Sequence, residues 1–225
     1  MRTRFQVGLE ELREKLLKMG GMAEQAVDRA CEAFRERDLK LCQRVLENES
    51  IINATEREID SIALDLLAMQ QPMAIDLRFI LAVVKINADL ERVGDQAVNI
   101  AERVMDMVEL PATDLPVDIS RMASAASAMV QRALESFIEG KADLAVAVLE
   151  MDSVVDRMRD EAFISLVHKM NQNPAVTRQA LDALLIARNL ERVADHATNI
   201  AEDVIFWVRG ADVRHHFGIE PAGTG

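Results

Sequence analysis

At 225 residues the chain is long enough for one large domain or two ordinary ones, either able to bury a core. Only 4% of residues are aromatic, Tyr is absent, and Gly and Pro are sparse at 9 and 5, which disfavours a β-sandwich and favours helix. A formal charge of −12 excludes unaided binding to nucleic acid or anionic lipid, which needs a basic patch, and suits cations or basic protein surfaces. The longest apolar run, Phe79–Val84, falls far short of the ~18 residues of a membrane span, and the start of the chain lacks the apolar region of a signal peptide. Two cysteines, Cys31 and Cys42, make no disulfide framework; the expectation is reduced thiols in a soluble, cytoplasmic protein.

Apolar spacing predicts a first helix over about 6–37, with Leu9, Leu12, Leu16, Met19 and Met22 in register and Gly20-Gly21 as a possible kink. Asp38 is placed to cap a second helix over about 39–70, and Pro72 marks the next turn. The third helix covers about 74–109. Pro111–Pro116 is the one Pro-rich stretch and the obvious linker. The second half follows the same plan: helices over about 117–139, ending at Gly140, about 143–171, ending at Asn173-Pro174, and about 175–209, ending at Gly210. Short turns make neighbours antiparallel, so the expected fold is all-α: two tandem three-helix bundles, residues 1–112 and 113–225.

One stretch is repeated. Leu90–Val104 returns as Leu190–Val204 with 11 of 15 positions identical at an offset of 100, whereas the nine residues before it share only Leu81/Leu181 and Ile86/Ile186. Val45-Leu46-Glu47 and Phe34 return as Val148-Leu149-Glu150 and Phe137 at an offset of 103, so the duplication spans all three helices. On a helix of about 100° per residue, Glu91, Asp95, Asn99 and Glu102 share one narrow wedge at the border of the apolar stripe.

Antiparallel pairing about the turn near residue 72 sets Glu91 level with Asn53 and Asp95 level with Glu49. About the turn near residues 173–174, Glu191 is level with Asp156 and Asp195 with Asp152. Each half therefore faces one (i, i+4) polar pair with another. Clustered carboxylates repel one another, which favours raised pKa values or a bound cation, and oxygen-only ligands suit Mg, Ca, Mn or ferric iron. The competing reading of such pairs is a merely solvated helix face. His196 falls off the wedge and reads as exposed, and Asn99/Asn199 read equally well as helix–helix hydrogen bonds. No glycine-rich phosphate loop, nucleophile elbow or His-bearing triad candidate is found.

At Glu91-Arg92-Val93-Gly94-Asp95 and Glu191-Arg192-Val193-Ala194-Asp195 the chain resembles the PhoU family, whose members carry a twice-repeated E(D)xxxD motif. Met19-Gly20-Gly21-Met22, Gln71-Pro72 with Asp76-Leu77-Arg78, and Trp207-Val208-Arg209-Gly210 through Asp212, Arg214 and His215 are similar to further family patterns. The resemblance covers essentially the whole chain. It implies a non-enzymatic, cytoplasmic negative regulator of phosphate uptake that acts through the ABC phosphate transporter ATPase and the phosphate-sensing histidine kinase, often as a homodimer. It also implies a multinuclear metal cluster, iron foremost, with Zn, Mn, Mg or Ca as other candidates. The metal-ligating set would be Glu91, Asp95, Glu49 and Asn53 in the first half, and Glu191, Asp195, Asp152 and Asp156 in the second. Asn53 departs from a strict acidic pair. The rival reading is a carboxylate-bridged metalloenzyme of ferritin-like type; against it stand the (i, i+4) spacing and the absence of His from the motif.

Overall fold

In a computed structural model of the chain, which describes residues 4–70, 72–211 and 213, six helices follow one another. They are α1 (Arg4–Glu36), α2 (Leu39–Gln70), α3 (Ala74–Val108), α4 (Ile119–Glu139), α5 (Ala142–Gln172) and α6 (Thr177–Arg209). The described residues contain no strand. Helical spacing accounts for them: along α3, Ile80, Val83, Ile86, Leu90, Val93, Ala97, Ile100 and Val104 recur every three or four residues, and all are buried.

The ends are set locally. Asp38 Oδ1 accepts from the Lys40 amide (2.8 Å) and Asp118 Oδ1 from the Arg121 amide (2.9 Å). Because Asp118 caps it, α4 begins at residue 119 rather than at the expected 117. A single 3-10 turn, Pro174–Val176, likewise delays α6 to residue 177. Gly140 and Gly210 close α4 and α6 in the left-handed region, at φ 61° and 68°. Arg37 also lies there, at φ 53°. Its guanidinium donates to the carbonyls of Met107 (2.9 Å) and Val108 (3.2 Å) at the C-terminal end of α3.

One expectation is revised. Gly20-Gly21 does not interrupt α1, which runs unbroken. Gly20 instead lets α1 approach α4: a Cβ there would lie 2.6 Å from Leu134 Cδ1. The two bundles pack side by side. α1 packs on α4 and α3 on α6, and one continuous core runs through both halves. Trp207 joins Phe79 and Phe137 in an aromatic knot with centroids 5.2–5.7 Å apart, with the Arg13 guanidinium over all three rings. Gln71, Asp212, Arg214, His215 and His216 lie outside the described residues.

Candidate metal-binding faces

The register between α2 and α3 is pinned by Asn87, buried on α3, whose amide donates to Asp60 Oδ1 and to the Glu56 carbonyl, both at 3.0 Å. One turn further along α3, Glu91 meets the polar stripe of α2. Burial raises the Glu91 pKa, and the charges of Asp95, Glu56 and Glu49 push it the same way against Arg92. Asp95 is also raised, by burial, with His196 opposing. Asn53 Oδ1 is buried without a hydrogen-bond partner, an oxygen the fold hides and does not use. Glu49, Asn53, Glu91 and Asp95 thus share one half-buried face, as their spacing predicts.

The sequence reading missed a member of this face. Glu56 is raised by burial and by Asp60, with a further push from Asp95. It lies three residues past Asn53, and Glu49, Asn53, Glu56 and Asp60 follow a 4-3-4 spacing that keeps them on one stripe of α2. That spacing was available in the sequence; pairing by (i, i+4) alone overlooked it. Glu56 restores the carboxylate that Asn53 takes away.

In the second half, Asp152 and Asp156 on α5 meet Glu191 and Asp195 on α6. Burial raises Asp152, followed by the charges of Asp156 and Glu191. Asp195 is pushed up to about 6 by partial burial and then by Glu191, Asp152 and Asp156, with His196 opposing. All four predicted residues are brought together. The position equivalent to Glu56, at the 103-residue offset, is Arg159. Its Nη2 lies 3.5 Å from Asp156 and 3.6 Å from Glu191, bridging the two helices, and its Nε is buried without a partner. A guanidinium therefore already occupies part of the second face as a cation.

Both sets are oxygen-only and carry like charge beside a core, the donor chemistry that fits hard cations. Among the described residues, no three His, Cys, Asp or Glu side chains are gathered tightly enough to close on an ion. The faces are open, so ligation would require side chains to swing inward on fixed helices.

His196 is not exposed as expected. Its side chain is only 14% accessible, and Nδ1 donates to Asp89 Oδ1 at 2.9 Å across the α3–α6 seam. Asn199 donates to the same oxygen at 3.2 Å, which makes it the helix–helix hydrogen bond its position allows. The signal missed was tertiary: the seam buries a helix side that a single bundle would leave wet. Cys31 and Cys42 are free and buried, and burial pushes the Cys31 thiol up to about 12.

Fold and faces together define a class: an internally duplicated pair of three-helix bundles with an acidic face in each half. The PhoU domain matches residues 16–104 and again 119–204, and the chain belongs to the PhoU family. It is 41% identical over 212 residues to a phosphate-specific transport system accessory protein PhoU homolog of Pseudomonas aeruginosa, covering 94% of this chain and 88% of that one. A homolog from Clostridium acetobutylicum is 33% identical over 210 residues, covering 93% and 96%. The crystal structure of PhoU from Pseudomonas aeruginosa superimposes with a TM-score of 0.89 at 40% identity, covering 92% of this chain and all of that one. The phosphate transport regulatory protein PhoU of Streptococcus pneumoniae shares the fold, with a TM-score of 0.83 at 24% identity and coverage of 93% and 99%. By these names the family is one of accessory, regulatory proteins rather than enzymes. No helix among the described residues is long and apolar enough to cross a membrane.

Proposed function

We propose that this chain is a cytoplasmic regulator of phosphate uptake that restrains the phosphate response by docking on other proteins rather than by turnover. Its partners are the ATPase of the phosphate importer and the phosphate-sensing histidine kinase, and it works as a homodimer. The observation that carries this reading is the match to relatives named as accessory proteins of the phosphate-specific transport system, over more than nine-tenths of the chain. Pull-down of the full chain from cells grown in high and low phosphate tests it: recovery of the ATPase or the kinase is expected, and recovery of neither under both conditions contradicts it.

In the same reading the two acidic faces hold metal. Glu49, Asn53, Glu56, Glu91 and Asp95 would ligate on one side, and Asp152, Asp156, Glu191 and Asp195 on the other. Support comes from the unpartnered Asn53 oxygen and from the raised carboxylate pKa values, both of which a hard cation would relieve. Bound metal, as a multinuclear cluster with iron foremost, would supply positive charge that cross-links α2 to α3 and α5 to α6. The protein's own part is to hold the carboxylates in register, through Asn87–Asp60 in the first half.

A further inference from the structure

The α3–α6 seam carries a different chemistry from the two acidic faces. The helices run antiparallel, with Lys85 3.4 Å from the buried Asp203, Asp89 2.9 Å from His196 and Arg103 3.8 Å from Asp182. Three residues on from Asp89 and three back from His196, α3 and α6 cross at positions 92 and 193. At the 100-residue offset of the repeat, equivalent positions there face each other, so a local two-fold axis passes between them. Arg92 and its repeat-mate Arg192 therefore stand on either side of the axis. With Gln96, His196, Thr198 and Asn199 they line an open groove of about 570 Å³.

Two guanidinium groups sharing one groove repel, and the fold does little to quiet them. Arg192 makes no ion pair or hydrogen bond among the described residues. Arg92 makes one ion pair, with Asp89 at 4.0 Å, whose oxygen already accepts from His196 and Asn199, and its charge also acts on Glu91. Gln96 is buried, yet its Oε1 has no partner, and an amide turned about its last torsion would offer NH₂ to the groove instead. Asp195 also stands on the rim and opposes an anion. Two planar forks able to donate in pairs, at an axis of approximate symmetry, match a small oxyanion with several equivalent oxygens better than a single carboxylate.

We propose that this groove binds a small tetrahedral oxyanion of the phosphate class, held between Arg92 and Arg192. The site is separate from the metal reading: it uses the arginines of the repeated motif, whereas the acidic faces use its carboxylates. Asp195 alone belongs to both, so the groove is tested on the metal-free chain.

The test uses the full chain stripped of metal by a chelator, at low ionic strength, titrated with inorganic phosphate and followed by calorimetry and by ³¹P line width. One saturable phosphate per chain is expected, displaced by sulfate and weakened by salt. Arg92→Gln with Arg192→Gln should weaken binding by on the order of tenfold per arginine at unchanged helix content by circular dichroism. Arg192→Gln alone, which removes no contact the fold uses, gives the same reading if the double variant fails to fold. Lysine at both positions should retain part of the affinity, because charge survives while the paired geometry is lost. Absence of saturable binding, affinity unchanged in the arginine variants, or binding that returns only when metal is restored would each overturn the groove.

Discussion

The first and second acidic faces descend from one ancestor and have diverged at a single decisive position. In the first, Glu56 adds a carboxylate beside Glu91, and in the second Arg159 fills the equivalent place and bridges Asp156 to Glu191. Each face keeps four carboxylates. The first adds an amide oxygen with no partner, whereas the second adds a resident positive charge. Carboxylate count alone would rank the faces as equals. The electrostatics rank them otherwise, because a cation entering the second face must displace a bridging guanidinium or work beside it, whereas in the first Arg92, Arg57 and His196 offset the carboxylates without bridging the two helices.

The largest expected effect comes from emptying the stronger face. Glu91→Ala with Asp95→Ala should weaken the tight class of bound metal by more than the ~100-fold that loss of one outer-shell partner can cost, with helix content unchanged. Metal bound with wild-type stoichiometry and affinity would mean that the ligands are misassigned. Next comes the converse: Arg159→Gln should strengthen metal at the second face by about tenfold, equivalent to about 1.4 kcal/mol. Unchanged affinity would show that the bridge is a bystander.

Proton linkage sharpens the comparison further. Asp195 has a folded-state pKa of about 6, above its ordinary carboxylate value, so the folded chain binds more protons than the unfolded one between those two values. Stability of the metal-free protein should therefore rise as pH falls from 7.5 through 6 and decline as pH rises again. Asp195→Asn should flatten that slope and raise Tm at pH 7.5 by a few degrees at most, given ~2–4 °C per kcal/mol for a chain of this size and the solvent screening of a partly exposed group. A Tm insensitive to pH between 5 and 7.5 in both proteins would contradict the crowding. The smallest effect is structural: Gly20→Ala should cost about 1 kcal/mol, low in the range for overpacking because Leu134 offers only flexible methyl groups, and thermal unfolding would detect it.

Much of this was legible in the sequence. Helix limits followed from apolar spacing, from Asp38 as a cap and from Gly140 and Gly210 as stops, because these are local chemistry. The facing of Glu91 with Asn53 and of Glu191 with Asp156 followed from counting residues back from each turn, since antiparallel helices advance at equal rates. What could not be read was set by packing between the bundles. Gly20 reads as a kink until Leu134 is beside it, and His196 reads as exposed until Asp89 reaches it from the other half. The Arg159 bridge exists only once α6 places Glu191 against it. Glu56 belongs to a different kind of miss, since its heptad-like spacing was present in the chain and a longer window would have found it.

The central claim is that two unequal cation-holding faces were kept by duplication. Calorimetric titration of the chelator-treated full chain with a divalent cation tests it most directly, run on the wild type and on the variants Glu91→Ala/Asp95→Ala and Glu191→Ala/Asp195→Ala. The account predicts two classes of site, the tighter abolished only by the first pair of substitutions and the weaker only by the second. A single class indifferent to both pairs, or no saturable binding by the wild type, would contradict it.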